Sequence, residues 1–432
     1  MGQIFSTPQP KDHDLASSFE NFFKTFKMES KIISEDNITL IQSHIQKGDI
    51  QRTVSLINNV LKEIENAPLS IAVTGESGAG KSSFINALRG TGHEEPDAAE
   101  VGVVETTMHR KSYEHPKFPN VKIWDLPGIG TSKFIPMNYL KKVNFGEYDF
   151  FLIISCTRFT DHDAQLAKAI ARMKKNFYFV RTKIDNDLSN SQRSQPKSFN
   201  RDKVLEKIRD NCMENLQQAK VDAVQVFLVS SLDVTDFDFS ELEDTLLRDL
   251  PAQKRHIFMQ CLPNVTEVAI ERRRDSLKQM IWLESLKSGV SATIPLVGLL
   301  SDNDIVKLQQ MLAFYRSYFG LDDQSLEEIA TDLSVSAWEL KQTLKSPHLL
   351  SLEKDESMED KLKGYLEIFF SINGGLIATG LYFTKTYYLH NHFLDVVVQD
   401  AKLLLRRKDL LGHCVGSKQG CKNEKAKDLS CG

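Results

Sequence analysis

Lys81 is the penultimate residue of the run Gly75, Glu76, Ser77, Gly78, Ala79, Gly80, Lys81, Ser82, which fits G-x-x-x-x-G-K-[ST] at every position. Glycines let successive backbone N–H groups converge on phosphate oxygens, and a helix starting here adds the positive end of its dipole. Lys81 would reach the β- and γ-phosphates, the Ser82 hydroxyl would ligate Mg²⁺, and Ser83 continues the binding run into the helix. A plain Gly-rich turn before a helix would share the local pattern, but that reading weakens with the motifs that follow.

Asp125-Leu-Pro-Gly128 ends a strand-like run over 121–124. A carboxylate there can hold Mg²⁺ through water, and the Gly128 N–H can meet a γ-phosphate without hindrance. Thr182-Lys183-Ile184-Asp185 ends the run from Phe177. The Asp185 carboxylate would accept from guanine N1–H and N2–H₂, donors that adenine lacks on that edge, while the Lys183 stem lies over the ring. Ser230 and Ser231, after the last apolar run, could add a backbone N–H to the base. Three ordered motifs at strand ends specify a guanine-nucleotide site.

Between the first two motifs lies Val101 to Thr107, where a threonine could close over Mg²⁺ and the γ-phosphate. Thr107 is the first choice and Thr106 the second, because spacing does not separate them; an exposed β-edge would also carry this Thr-Thr pair. Many small GTPases orient the attacking water with Gln just after D-x-x-G. Here that position is Ile129, which neither donates nor accepts. Glu105 is the nearest titratable candidate, so the catalytic set reads Lys81, Glu105 and Thr107.

These motifs need strand ends to present them. Short apolar runs at Leu69–Thr74, Val121–Trp124, Phe150–Cys156, Phe177–Thr182 and Val226–Ser230 read as buried strands. Helical spacing lies between them, as with Leu166, Ile170 and Met173. The alternation implies an α/β domain with a mainly parallel sheet over 68–250. Residues 15–67 and 251–411 read as helical, with Val54, Ile57, Leu61 and Ile64 on one face. The simplest architecture is an all-helical domain built from both chain ends, with the α/β domain inserted in it. Residues 1–14 and 412–432 read as flexible segments.

Composition agrees. In 432 residues, 41% are hydrophobic and 26% charged, with net charge −4, a balance that argues against wholesale disorder and against nucleic acid as the main partner. Six cysteines, none in C-x-x-C spacing, make neither a disulfide framework nor a structural zinc site and point to the reducing cytosol.

On these motifs, with Val103–Thr107, Ile123–Gly130, Glu147–Phe151, Lys254–His256 and Tyr315–Leu321, the chain resembles the immunity-related, interferon-inducible GTPases. Lys81 places it in the GKS branch. The resemblance implies a Ras-like P-loop G domain, hydrolysis of GTP to GDP and phosphate with Mg²⁺, and GTP-dependent homo-oligomerisation through G domains. In that case a second protomer completes a site that lacks the usual Gln. It also implies action on intracellular membranes, including those of pathogen-containing vacuoles, in cell-autonomous immunity, with related GTPases as further partners. The tail 412–432 does not align with that pattern. A passive GTP-binding switch, docking on membranes or partners with negligible hydrolysis, is the alternative that Ile129 favours. A small-molecule kinase is disfavoured by Thr182–Asp185.

Met1-Gly2-Gln3-Ile4-Phe5-Ser6 fits the N-myristoylation pattern at Gly2. One such chain binds membrane only marginally, so a second element is needed. Leu362, Tyr365, Leu366 and Phe369 form an apolar stripe, and Ile368–Thr384 carries no charge. This stretch reads as a packed or interfacial helix rather than a span. Arg272-Arg-Arg274 reads as a solvated helix face; His109, His162 and His256 as ordinary surface or helix residues.

Overall fold

The computed structural model describes residues 19–101, 109–115, 118–129, 135–156, 159–221, 224–262, 266–291, 302–352, 357–358, 360–365 and 386–407. Gly2, Glu105, Thr106, Thr107, the whole uncharged stretch 368–384 and the tail 412–432 lie outside them.

Contacts divide the chain into two compact units, one formed by Glu63–Asn264 and the other by the segments Met1–Lys62 and Val265–Gly432. The first holds a six-stranded sheet: β1 (Leu69–Gly75), β2 (Lys111–His115), β3 (Phe118–Asp125), β4 (Phe150–Ser155), β5 (Asn176–Arg181) and β6 (Val226–Leu228). The order is β2-β3-β1-β4-β5-β6. Among the described residues, only β2 runs antiparallel to its neighbour. β1 and β4 are buried almost throughout, which explains their continuous apolar runs. The sheet is therefore α/β and mainly parallel, as the alternation of runs predicts. β2 is absent from the sequence reading. Its residues Lys-Ser-Tyr-Glu-His alternate exposed and buried, the mark of an edge strand that a search for apolar runs passes over.

The sequence break at Leu250-Pro251 is not the edge of this unit. Helix Ala252–Cys261 belongs to it. Lys254 pairs with Asp149 at 2.6 Å, the Arg255 guanidinium donates to Leu247 O at 2.9 Å, and Phe258 meets Phe150 edge-on at 6.5 Å. His256 is 2% exposed, so of the two readings, surface or helix, it takes the helix, on that helix's buried face. Burial pushes its pKa down to about 4, because a desolvated imidazole resists protonation.

The second unit joins both chain ends. In helix Glu267–Ser291 the fully buried Gln279 donates to Ser30 O at 2.8 Å and accepts from Ile32 N at 3.1 Å. Phe19, Phe22 and Phe23 gather around Trp282, with centroids 4.9, 5.7 and 6.0 Å away. Helix 386–407 adds Phe393, Leu394 and Val397 to a core shared with Leu277 and Tyr315. It also caps the turn Ser346–His348, where the Asp400 carboxylate accepts from the backbone N–H of Lys345 and Ser346. Arg272 and Arg273 are buried, and Arg274 pairs with Asp395 at 2.7 Å. The triplet is thus no solvated face. Helix 386–407 supplies an anion that sequence spacing could not reveal. Among the described residues, no helix is long and apolar enough to cross a membrane.

Candidate functional site

Parallel strands deliver their C-terminal ends to one edge of the sheet, where α/β folds bind ligands. β1 ends at Gly75, β3 at Asp125 and β5 at Arg181. All three motifs therefore meet at one edge.

The loop after β1 is glycine-dependent for steric reasons. Gly75 has φ +146°, and a Cβ built on it would lie 2.0 Å from Ile154 O on the neighbouring strand. Gly80, with φ +90°, caps helix Lys81–Arg89. That helix starts at the lysine, so its unsatisfied N–H groups face the loop. The Lys81 ammonium is nearly buried and donates to Gly75 O at 3.3 Å and Glu76 O at 3.0 Å. Arriving phosphate oxygens would replace these neutral carbonyls with stronger, charged acceptors.

The Ser82 hydroxyl donates to Asp125 Oδ2 at 3.1 Å. Two hard oxygen donors side by side at a phosphate loop suit Mg²⁺, which takes few protein ligands and completes its octahedron with water and phosphate. The residues present therefore fit the ion. Past Asp125 the chain lies along β1. Leu126 N–H donates to Val73 O at 3.0 Å and Ile129 N–H to Gly75 O at 3.3 Å. Gly128 is held between these two bonds. The Ile129 side chain is 0% exposed, so it packs in the core and orients nothing at the site.

The base-reading motif is bonded to the phosphate loop. Thr182 Oγ1 donates to Ala79 O at 2.7 Å and Lys183 Nζ to Gly78 O at 2.9 Å. Lys183 takes a left-handed conformation (φ +58°) as it enters helix Ile184–Ser194. The buried Ile184 anchors that helix start through its N–H to Val229 O at 3.4 Å. This sets the half-buried Asp185 in the first helical turn. Arg181 pairs with Asp187 at 2.6 Å. Burial raises the Asp187 pKa against the lowering effect of that guanidinium. Ser230 is fully buried and its hydroxyl accepts from Leu232 N–H at 3.3 Å. It shapes the turn, and Ser231 follows half-exposed.

Other site residues have no sequence motif. His162 Nδ1 lies 3.6 Å from Glu76 Oε1, so this histidine abuts the phosphate loop rather than idling on a surface. Beside it Asp163 closes a capping box with Thr160 on helix Asp161–Arg172. Burial pushes the Asp163 carboxyl up to about 6, against the hydrogen bonds from Thr160 that favour its ionised form. The Cys156 thiol donates to Gly78 O at 3.5 Å. Tyr139 OH lies 2.7 Å from Thr74 Oγ1 and donates to Pro127 O at 3.0 Å. His162, Cys156 and Tyr139 thus brace the nucleotide loops from distant parts of the sequence.

A family model described as Interferon-inducible GTPase (IIGP) matches residues 34–408. The chain is similar to Interferon-gamma-inducible GTPase 10 of Mus musculus, at 60% identity over 96% of this chain and 100% of that one. It is similar to the mouse T-cell-specific guanine nucleotide triphosphate-binding protein 2, at 56% identity over 93% of this chain and 96% of the relative. Mouse Interferon-inducible GTPase 1 is 46% identical over 94% and 98% of the two chains.

Proposed function

The chain belongs to the interferon-inducible GTPase family, and from that premise we propose that it hydrolyses GTP to GDP and phosphate, driven by GTP-dependent self-association through its G domain. The observation that carries this reading is the Ser82–Asp125 contact beside Lys81, at the edge to which Thr182 and Lys183 are bonded.

Lys81 turns from the carbonyls of Gly75 and Glu76 to the β- and γ-phosphates, and the glycine-rich backbone donates to the remaining oxygens. Asp185 accepts from the guanine edge, and the Lys183 stem covers the ring. Mg²⁺, held by Ser82 and Asp125 with Thr107 as the third ligand from the chain, would neutralise charge on the β- and γ-oxygens. Water bonds to the γ-phosphorus as the bond from that phosphorus to the β,γ-bridging oxygen breaks; the electron pair leaves with that oxygen on GDP, and the water's proton passes to the released phosphate.

Ile129 cannot orient this water, so the orienting group comes from Glu105 or from a second protomer. Self-association then raises turnover because it completes the site. The setting we propose is intracellular membranes, those of pathogen-containing vacuoles included, reached with help from a lipid on Gly2. Related GTPases would act as further partners. The burial of Ile129 equally favours a second reading, a GTP-gated switch with negligible hydrolysis.

Phosphate release per protein molecule, followed against protein concentration at saturating GTP, separates the two. Specific activity that climbs with concentration supports self-activation. A flat, negligible rate with GTP still bound supports the switch.

A further inference from the structure

Tyr139 sits in the short helix Pro136–Lys142, outside every nucleotide motif, yet its hydroxyl joins Pro127 of the D-x-x-G motif to Thr74, the residue just before the phosphate loop. The carbonyl of Pro127 can only accept, so the single phenolic proton goes there, over 3.0 Å. The 2.7 Å contact to Thr74 is therefore filled by the threonine hydroxyl donating to Tyr139. Thr74 is 0% exposed and Tyr139 9%, so no water competes for this chain of bonds. Burial raises the phenol above its ordinary range, and it remains a donor at any physiological pH.

The consequence follows from peptide geometry. Pro127 C=O and Gly128 N–H belong to one planar trans unit and point in opposite directions. Fixing the carbonyl fixes the amide. On either side, Leu126 N–H to Val73 O and Ile129 N–H to Gly75 O hold the segment against β1. Those bonds do not set the plane of the peptide between them. Proline has no N–H to help, and glycine permits the plane to rotate. The Tyr139 hydroxyl supplies the missing restraint.

We propose that Tyr139 is a positioning residue: by holding Pro127 O it aims the Gly128 N–H at the γ-phosphate, and so strengthens binding of the triphosphate relative to the diphosphate. This rests on the guanine-nucleotide reading given above. Loss of the hydroxyl should weaken triphosphate binding and leave diphosphate binding intact, since GDP has nothing for Gly128 to meet.

The test is calorimetric titration of full-length wild type and Tyr139→Phe with the β,γ-imido analogue of GTP and with GDP, each with Mg²⁺. Affinity for the analogue is expected to fall roughly 3- to 10-fold, the worth of one buried hydrogen bond, and GDP affinity to stay within about 2-fold. Thr74→Val keeps the Tyr139 bond to Pro127 but removes the donor behind it, so a smaller shift in the same direction is expected. If Tyr139→Phe does not fold, Thr74→Val alone decides. Affinities for both nucleotides that fall together, or neither moving, would overturn the role of Tyr139. Wild type binding neither nucleotide would overturn the guanine-nucleotide reading itself.

Discussion

Thr182 Oγ1 donates to the carbonyl oxygen of Ala79 over 2.7 Å, across a sequence separation of 103 residues. The base-reading loop and the phosphate loop are therefore one hydrogen-bonded body, and a nucleotide that engages one finds the other in place. Thr182→Val, which keeps the shape and removes the donor, should weaken GTP and GDP alike by roughly 3- to 10-fold, the range of one buried hydrogen bond. Equilibrium titration with both nucleotides checks it; a selective loss of GTP alone would contradict this role. Tyr139→Phe should behave differently, because Tyr139 holds the peptide that carries Gly128 whereas Thr182 ties the base loop to the phosphate loop as a whole.

Gly75→Ala tests the steric argument for the first motif glycine. A methyl group 2.0 Å from Ile154 O at φ +146° must push β1 and β4 apart. The expected cost is roughly 2–4 kcal/mol of stability, from overpacking and backbone strain together, with nucleotide binding lost in the same variant. Gly78→Ala meets no atom within 4 Å and should be milder, limited to the strain of its positive φ. Melting curves of the two variants rank them.

The Ser82–Asp125 contact marks where the metal belongs. Asp125→Asn should raise the Mg²⁺ concentration needed for half-maximal turnover by roughly 10-fold or more, since a neutral amide is a poorer ligand for a hard cation. Chelation with EDTA should bring wild type down to the level of the variant. Equal Mg²⁺ requirements for the two proteins would place the ion elsewhere.

Two buried groups give the sheet unit opposite responses to pH. The Asp163 carboxyl, pushed up to about 6, binds more protons folded than unfolded between its ordinary pKa and that value. Its penalty grows as pH rises through the window and is complete above it. Asp163→Asn cannot ionise but still accepts from Thr160. It should be more stable than wild type at pH 8, by roughly 1–2 kcal/mol, with the gain vanishing toward pH 4. His256, pushed down to about 4, costs nothing above its ordinary pKa, and its contribution is lost as pH falls toward that lower value. Urea midpoints measured across this range separate them: the Asp163→Asn gain must shrink on acidification, whereas wild-type loss at acid pH must soften in His256→Gln.

Much of the site could be read directly because its chemistry is local. Phosphate loops, D-x-x-G and T-K-x-D each place their working atoms within a few residues of a strand end. The five buried strands were equally legible from their apolar runs. β2 was not, since an edge strand with one wet face has no such run. The catalytic candidates Glu105 and Thr107 fall outside the described residues.

The sequence by itself determined the ligand class and where along the chain the motif-bearing strands lie, because those depend on short-range spacing and on residue types with few substitutes. Only the tertiary structure decided which side chains bind the loops into one body. Tyr139, His162 and Cys156 reach them from helices and strand ends distant in the chain, Arg274 finds Asp395 across two helices, and His256 is buried in the sheet unit. Such partnerships arise when packing brings remote segments within hydrogen-bond reach, and no local pattern encodes a distance of that kind.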